Sequence, residues 1–315
     1  MKTSNYVNET LLSTPLNEPI VVVCAADDNY AMPMVVTIRS ALENLDNSRK
    51  LLLCIMDGGI TKRNKRRIVK SLSLKQCEIK WIPRPDVFDD KIILSDQLPS
   101  LKFLPNATFY KLLIPSLLPQ FAKAIYLDCD LVVRESLEKL WNLDLEENYL
   151  LSPETKDVIT VSHPNFGLLN WKELGFSADD KRLTAGVLVF NLEKWRTDNM
   201  CTKALEYLVH NHQYIRWHES DVLAAIVGRQ WGVLDSRWNR VEARFLTDEE
   251  VKDSFILHFT SYSKPWIAIE KNPASELFFR YLAMTDWSGY RHTIPQRLWR
   301  RLKRETKSRL KKIRF

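Results

Sequence analysis

Short apolar runs alternate with amphipathic stretches over the first third of the chain. Residues 20–26 and 51–56 are continuously apolar and are predicted to form buried strands, and residues 77–82 are predicted to form a third strand. After Pro33, apolar residues recur at helical spacing, and residues 61–74 are predicted to form a basic helix. Strands that alternate with helices at this interval are typical of parallel β-α-β units.

The α/β pattern continues with less regular spacing. Prolines punctuate residues 83–119, and the next strand is predicted to end at Leu127. Further strands are predicted at residues 183–191 and 255–259, and further helices at residues 108–114, 202–211 and 221–228.

The composition favours one globular domain with appended terminal segments. The chain has 315 residues with 45 % hydrophobic content, which is enough to bury a full core. No internal repeat or linker interrupts the first 285 residues. We therefore expect an N-terminal extension at residues 1–19, an α/β domain at residues 20–285 and a tail at residues 286–315.

Apolar runs and cysteine spacing predict a cytoplasmic protein. The longest apolar runs fall far below the roughly 20 residues that span a bilayer, and the polar N-terminus lacks the apolar region of a signal peptide. The five cysteines include no Cys-x-x-Cys pair and mostly lie in apolar segments. We expect them to be reduced packing residues in a protein that is not secreted.

Basic charge is concentrated in the tail. Residues 291–315 contain eleven Lys or Arg and one Glu, a net charge of +10, so that the remaining residues carry −3 of the overall +7. On a helix, Trp299 and five Leu or Ile residues share one half of the circumference and most basic residues occupy the other. This pattern predicts peripheral binding to an anionic surface on the inner face of a membrane. Nucleic-acid binding and a solvated tail are the alternatives, but phosphate contacts do not require an apolar face, so we expect no nucleic acid.

The tripeptide Asp128-Cys129-Asp130 carries the strongest chemical signal. It follows the apolar residues 124–127, so its two carboxylates are expected where a strand ends. Carboxylates in this arrangement suit Mn²⁺ or Mg²⁺, whose remaining ligands are commonly water and phosphate, although the same tripeptide also occurs in ordinary turns. The chain has no glycine-rich dinucleotide or P-loop motif, and Val222 replaces the second histidine of a zinc-protease motif. A nucleotide site must then be built from acids, amides and a metal.

Five segments occur together in an order that points to one family. They are Ala25-Ala26-Asp27-Asp28-Asn29-Tyr30, Asp128-Cys129-Asp130, the run AGVLVFNL at residues 185–192, Glu219-Ser220-Asp221-Val222-Leu223, and His258-Phe259-Thr260 followed by Lys264-Pro265-Trp266. In these segments the chain resembles the family-8 retaining glycosyltransferases, in particular the bacterial lipopolysaccharide or lipooligosaccharide galactosyltransferase and glucosyltransferase branch. The resemblance covers residues 20–285 and implies a GT-A fold, which is a Rossmann-like mixed sheet flanked by helices.

The resemblance also implies a UDP-sugar donor, Mn²⁺ or Mg²⁺, and a set of site residues. The implied metal ligands are Asp128, Asp130 and His258. The implied catalytic residues are Glu219, Ser220 and Asp221, with Glu219 stabilising the transition state or bonding to it. The positions implied to bind the nucleotide sugar are Ala25, Asp27, Asn29, Lys111, Asp128, Thr184, Ala185, Ser261 and Lys264, whereas Asp28 is interpreted as a turn residue.

Four sites depart from the family pattern, five residues in all. Glu219-Ser220-Asp221 stands where relatives usually have Asp-Gln-Asp, Thr184 replaces an asparagine, Lys111 an arginine and Ser261 a glycine. A longer acid and lost amides change which donor hydroxyls can be satisfied, so the identity of the sugar stays open.

The predicted function is retaining transfer of a hexose, galactose or glucose, from UDP to a hydroxyl of a glycolipid or oligosaccharide. A non-catalytic sugar-nucleotide-binding protein and a nucleotidyltransferase are the alternatives. The tryptophans at positions 217, 231, 238 and 287 are interpreted as packing residues rather than sugar platforms.

Overall fold

A computed structural model of the chain describes residues 18–84, 106–260, 264–267 and 272–290. Ser261, the basic part of the predicted tail and nearly all of the predicted N-terminal extension lie outside the described residues. No helix in the described ranges is both long enough and apolar enough to cross a membrane.

In the described part of the chain, seven strands form the central sheet and two more form a small separate sheet. In chain order the strands are β1 (Ile20–Ala26), β2 (Leu51–Asp57), β3 (Cys77–Ile82), β4 (Lys123–Leu127), β5 (Leu131–Val133), β6 (Leu150–Pro153), β7 (Val187–Asn191), β8 (Trp231–Leu234) and β9 (Ile256–His258). The large sheet runs β3-β2-β1-β4-β7-β6-β8, and β5 pairs with β9.

The central sheet is mixed. Its first four strands, β3, β2, β1 and β4, are parallel, whereas β7 is antiparallel to both of its neighbours, β4 and β6. The strand β6 is again parallel to β8. This arrangement confirms the predicted α/β class with a mixed sheet.

Helices flank the sheet. They are α1 (Ala31–Glu43), α2 (Lys62–Leu72), α3 (Ile114–Leu117), α4 (Glu138–Trp141), α5 (Leu192–Thr197), α6 (Met200–His210), α7 (Glu219–Val227), α8 (Asp248–Asp253) and α9 (Pro273–Leu282). Shorter 3₁₀ segments cover Asn106–Leu113, His212–Tyr214, Ser236–Asn239 and Ala243–Phe245. Side-chain caps stabilise the N-termini of several helices. Thr61 accepts the Asn64 N–H at the start of α2, and capping boxes begin α8 and α9.

The long apolar strands have nearly the predicted bounds. The strands predicted at residues 20–26 and 77–82 are found with those bounds, and β2 extends its prediction by one residue to Asp57. The predicted strand at residues 183–191 begins only at Val187, and the helix expected near residues 108–114 is a 3₁₀ helix that leads into α3.

Buried hydroxyls of α1 hold the segment that follows β4. Thr37 Oγ1 donates to the Cys129 carbonyl oxygen at 3.0 Å and accepts the Leu131 N–H at 3.1 Å, and Ser40 Oγ accepts the Val133 N–H at 2.8 Å. These bonds satisfy backbone groups of β5 from the side of α1. The chain is thereby fixed on both sides of Asp130.

Candidate active site

Asp128, Asp130 and His258 converge beyond the end of β4. Each offers one ligand atom, and these atoms lie within 4.8 Å of one another. His258 Nε2 is 3.6 Å from Asp128 Oδ2 and 3.2 Å from Asp130 Oδ1. The pairing of β5 with β9 produces this approach, because it places Leu131 directly opposite His258. Two carboxylates and an imidazole nitrogen are a donor set that suits a divalent cation such as Mn²⁺.

A buried amide orients the imidazole. His258 Nδ1 lies 2.8 Å from Asn239 Oδ1, and Asn239 Nδ2 donates to Thr184 Oγ1 at 3.2 Å. Because the Thr184 hydroxyl itself donates to the Pro153 carbonyl oxygen at 2.8 Å, the amide must present its oxygen to the ring. Nδ1 then carries a proton, and Nε2 is the ring nitrogen that faces the two acids and through which a metal would be bound. Asn239 is not among the site residues predicted from the sequence.

Gly186 allows the imidazole to approach the backbone. A Cβ atom at this position would lie 2.5 Å from His258 Cε1 and 2.6 Å from its Nδ1. No side chain fits there without moving the ring. The carbonyl oxygen of Gly186 also accepts the Asp128 N–H at 2.9 Å, so this glycine contacts two of the three converging residues.

Lys111 links the cluster to Glu219. The buried ammonium lies 3.2 Å from Asp128 Oδ1 and 2.8 Å from Glu219 Oε1, and it donates to the Ala185 carbonyl oxygen at 3.1 Å. Burial alone would lower the pKa of Lys111, but the Asp128 and Glu219 carboxylates outweigh it and raise the pKa above its usual range. Asp128 Oδ1 also accepts the Tyr126 hydroxyl at 2.9 Å. The lysine therefore remains a fixed positive charge between two acids.

Lys264 makes a second ion pair with the cluster. Its ammonium donates to Asp130 Oδ2 and to the Phe259 carbonyl oxygen. Burial acts to raise the pKa of Asp130, but His258 and Lys264 outweigh it and hold that pKa well below its usual range. Asp130 is consequently ionised, and its Oδ2 atom accepts a hydrogen bond from the Lys264 ammonium.

The loop that follows β1 contains Asp27, Asp28, Asn29 and Tyr30. The side chains of the first three serve local structure at least in part. Asp27 lines a cavity of about 240 Å³ together with Ala25 and Tyr30, but Asp27 Oδ1 also accepts the Tyr30 N–H at 3.0 Å. Asn29 is exposed and donates to Asp27 Oδ2 at 3.2 Å. Asp28 accepts the Thr61 N–H at 2.8 Å at the start of α2, so its carboxylate supports a neighbouring loop rather than its own turn.

The acids at the start of α7 have different surroundings. Glu219 is the first residue of the helix, lines both cavities of the site and pairs with Lys111. Ser220 Oγ accepts from Arg182 at 3.1 Å. Asp221 forms a buried ion pair with Arg182 at 2.7 Å and lines neither cavity. The structure therefore brings Glu219 to the cluster and places Asp221 in a supporting network.

A second cavity of about 940 Å³ meets the first at Asp128 and Glu219. Its inner end includes Gly186 and His258, as well as the predicted site residues Thr184, Ala185 and Ser220. The rest of its lining mixes apolar side chains, among them Trp217, with charged ones. The converging acids thus lie where two cavities of different size join.

The four tryptophans interpreted as packing residues do not behave alike. Trp231, Trp238 and Trp287 are buried, as predicted. Trp217 is 40 % exposed and lines the larger cavity, so the packing interpretation is wrong for that residue.

Comparison with known proteins gives consistent matches. The sequence model of glycosyl transferase family 8 matches residues 21–270. General stress protein A of Bacillus subtilis is 27 % identical over 284 residues, which cover 85 % of this chain and 94 % of that protein. A putative glycosyltransferase of Haemophilus influenzae is 25 % identical over 221 residues, covering 69 % of this chain and 62 % of its own length. The crystal structure of galactosyltransferase LgtC in complex with donor and acceptor sugar analogues shares the fold, with a TM-score of 0.69, 22 % identity and coverage of 86 % of this chain and 99 % of LgtC.

Proposed function

This chain belongs to glycosyl transferase family 8, and from that premise we propose that it transfers a hexose, galactose or glucose, from a UDP-sugar to a hydroxyl of a glycolipid or oligosaccharide with retention of configuration. The observation that carries the proposal is the convergence of Asp128, Asp130 and His258 beside the Lys111–Glu219 ion pair, where two cavities join. LgtC, which has the same fold, was crystallised with donor and acceptor sugar analogues.

The smaller cavity is assigned to the nucleotide. Ala25 and Asp27 line it at the carboxyl end of β1, the edge at which open α/β sheets bind ligands. Asp128, Asp130 and His258 would hold Mn²⁺ or Mg²⁺, which, when bound, offsets the negative charge of a diphosphate. Lys264 is close enough to the cluster to place an ammonium against the same diphosphate, on which negative charge grows as the bond to the sugar breaks.

Glu219 is assigned to the sugar. Its carboxylate lies at the junction of the two cavities, and the 2.8 Å ion pair with Lys111 fixes its position. A carboxylate at this position stabilises the positive charge that develops at the anomeric carbon, or bonds to that carbon briefly. The acceptor hydroxyl attacks from the face that the diphosphate leaves, and a departing phosphate oxygen takes its proton, so no separate base is needed.

A donor panel tests the proposed function. UDP-galactose and UDP-glucose are incubated with lactose as acceptor, with Mn²⁺ or with a chelator, and both UDP and pyrophosphate are measured. We expect Mn²⁺-dependent release of UDP, a product with retained anomeric configuration by NMR, and loss of roughly 100-fold or more of the rate in Asp130→Asn. Asp179→Asn removes an exposed carboxylate outside both cavities and serves as the matched control.

Other outcomes would indicate a different class of function. Release of pyrophosphate would show a nucleotidyltransferase, and binding of UDP-sugars without turnover of any acceptor would show a binding protein. Full activity of Asp130→Asn would contradict the metal assignment.

We also propose that the basic tail binds anionic membranes, a proposal that rests on sequence alone because residues 291–315 lie outside the described part of the chain. Sedimentation with vesicles of phosphatidylglycerol, compared with phosphatidylcholine, should show binding only to the former. The combined change of Arg300, Arg301 and Arg304 to Gln should weaken it, and equal binding to both vesicle types would contradict the proposal.

A further inference from the structure

Aromatic side chains lie exposed on the outer part of the larger cavity. Phe166 is 43 % and Trp217 is 40 % exposed, and their ring centroids lie 5.4 Å apart with the planes tilted by 34°. The His163 ring adds to this stack, with its centroid 5.1 Å from that of Phe166. All three residues line the cavity and are called the aromatic wall below.

Exposed apolar side chains are concentrated around this cavity. Eight large hydrophobic residues are exposed in the described part of the chain, and four of them, Val158, Phe166, Trp217 and Phe245, line this one cavity. Single exposed hydrophobic residues are ordinary on a protein surface, but a group of them beside a cleft is typical of a binding site.

Hydrogen bonds hold the wall in place without using its ring faces. The indole N–H of Trp217 donates to the Asn165 carbonyl oxygen at 2.9 Å. The Arg216 guanidinium donates to the carbonyl oxygens of Pro164 at 2.9 Å and Gly167 at 2.8 Å, which ties the two segments of the wall together. The polar edge of the indole is thus satisfied within the protein, while its face remains available.

Asp221 connects the wall to the helix that carries Glu219. Its Oδ2 atom accepts the backbone N–H groups of Arg216 at 2.7 Å and Trp217 at 2.6 Å, and its Oδ1 atom pairs with Arg182. A wall fixed in this way loses little conformational freedom when a ligand binds. This buried carboxylate therefore helps to fix the orientation of Trp217 relative to Glu219, which lies only two residues further along the chain.

We propose that the aromatic wall binds a pyranose ring of the sugar acceptor. A pyranose carries C–H groups on its faces and hydroxyls at its edge, so it matches an apolar surface surrounded by polar groups. The cavity has that character, because Lys156, Arg182 and Glu242 line it together with the wall. Its volume of about 940 Å³ accommodates more than one sugar ring.

The position of the wall favours an acceptor sugar over the donor. This cavity continues to Asp128 and Glu219, where the proposed transfer occurs, whereas the nucleotide is assigned to the smaller cavity. An acyl chain is less suited to this cavity, because it would displace water from the charged side chains of Lys156, Arg182 and Glu242 without offering them hydrogen bonds. The inference rests on the proposed function and specifies its acceptor as a glycan that presents an exposed ring face.

Acceptor kinetics and ligand NMR test the assignment in the full-length enzyme with Mn²⁺. The acceptor probes are methyl β-D-galactopyranoside, methyl β-D-glucopyranoside and octyl β-D-glucopyranoside. The variants are Trp217→Ala, Phe166→Ala and the conservative Trp217→Phe, and Val69→Ala removes an exposed apolar side chain on α2 as the matched control. Melting temperatures establish that each variant is folded.

We expect the KM for the preferred methyl glycoside to rise about tenfold in both alanine variants and to change by less than about threefold in Trp217→Phe. The Kd for UDP should stay within about twofold, because the nucleotide does not touch the wall. Saturation transfer from the protein to the pyranose ring protons should weaken in Trp217→Ala, and Val69→Ala should match the wild type in every measurement.

Several results would overturn the assignment. Unchanged acceptor KM in both alanine variants would do so, as would an equal loss of UDP affinity, which would place the uridine on the wall. Use of the octyl glycoside alone would show that the wall holds an alkyl chain. If the wild type binds UDP-hexose but neither uses nor binds any methyl glycoside, the wall assignment fails alone, whereas absence of UDP-hexose binding defeats the proposed function and the wall assignment with it.

Discussion

Replacing Gly186 with Ala should weaken metal binding through one misplaced methyl group. The added Cβ atom would lie 2.5 Å from His258 Cε1 and 3.3 Å from Asn239 Oδ1. Carbon atoms normally pack at about 3.5 Å or more, so the imidazole must shift by roughly 1 Å. The His258 backbone is held by β9 and by its N–H bond to the Arg240 carbonyl oxygen at 2.8 Å, so the side chain has to move. That movement disrupts either the Asn239 hydrogen bond or the approach of Nε2 to Asp130.

Two magnitudes follow from this overlap. Overpacking of a core position typically costs about 1–3 kcal/mol of folding stability. Loss of the support behind a metal ligand typically costs about 10- to 100-fold in metal affinity. The stabilisation that saturating Mn²⁺ gives to the folded protein should then shrink by about 1.4–2.7 kcal/mol.

Calorimetric titration with Mn²⁺ and thermal melting with and without Mn²⁺ measure both effects. Gly289→Ala is the matched control, because a Cβ atom there meets nothing within 4 Å. If the Mn²⁺ affinity of Gly186→Ala stayed within about twofold of the wild-type affinity, the reasoning would be refuted. The position of the His258 imidazole against the backbone of residue 186 would then not matter for metal binding.

Three further predictions concern buried charges. In the absence of nucleotide, Lys264→Met should bind Mn²⁺ more tightly than the wild type, because the Lys264 ammonium on Asp130 competes with the cation. The same variant should bind UDP more weakly, and calorimetry measures both affinities. Weaker Mn²⁺ binding by the nucleotide-free variant would contradict this. Asp221→Asn should lower the free energy of unfolding by about 3–5 kcal/mol in urea, because it leaves the buried Arg182 without its charge partner, and a loss below about 1 kcal/mol would show that the pair contributes little. Burial lowers the pKa of Lys123 to about 8, so between pH 8 and about 10.4 the unfolded chain binds a proton that the folded chain does not. The free energy of unfolding should therefore rise by roughly 1–3 kcal/mol over that window in the wild type relative to Lys123→Met, and equal slopes in the two proteins would contradict the shift.

The central strands could be predicted because burial on both faces makes them continuously apolar. The run at residues 20–26 gave the bounds of β1. The edge strand β3 also has its predicted bounds, although only one of its faces is buried and its apolar residues alternate with polar ones. By contrast β5, β6 and β8 have three or four residues each, which is too few for a periodic pattern to emerge. Their positions depend on pairing partners far away in the chain.

Asp128 and Asp130 could be located because they follow a strand end, and Glu219, Lys111, His258 and Lys264 through the family resemblance, but the residue that orients His258 could not. Asn239 contacts His258 across 19 residues from a 3₁₀ segment that has no distinctive local pattern. The sequence around Trp217 gave no sign that this residue is exposed; its bonds to the Asn165 carbonyl oxygen and to Asp221 hold it where it lines the larger cavity. Such contacts arise from loop geometry, which local sequence does not encode.

The charges around the cluster explain why cation and nucleotide should bind together. Two lysines, Lys111 and Lys264, already pair with Asp128, Asp130 and Glu219, so the acids are largely neutralised without a metal. A cation that ligated Asp130 through Oδ2 would displace Lys264, whose ammonium would then be available to a diphosphate. By linkage, Mn²⁺ and UDP would then each raise the affinity of the other by the same factor. Lys264→Met has no ammonium for the cation to displace toward the diphosphate. The mutual enhancement of Mn²⁺ and UDP binding should therefore fall in this variant, even though Mn²⁺ alone should bind more tightly.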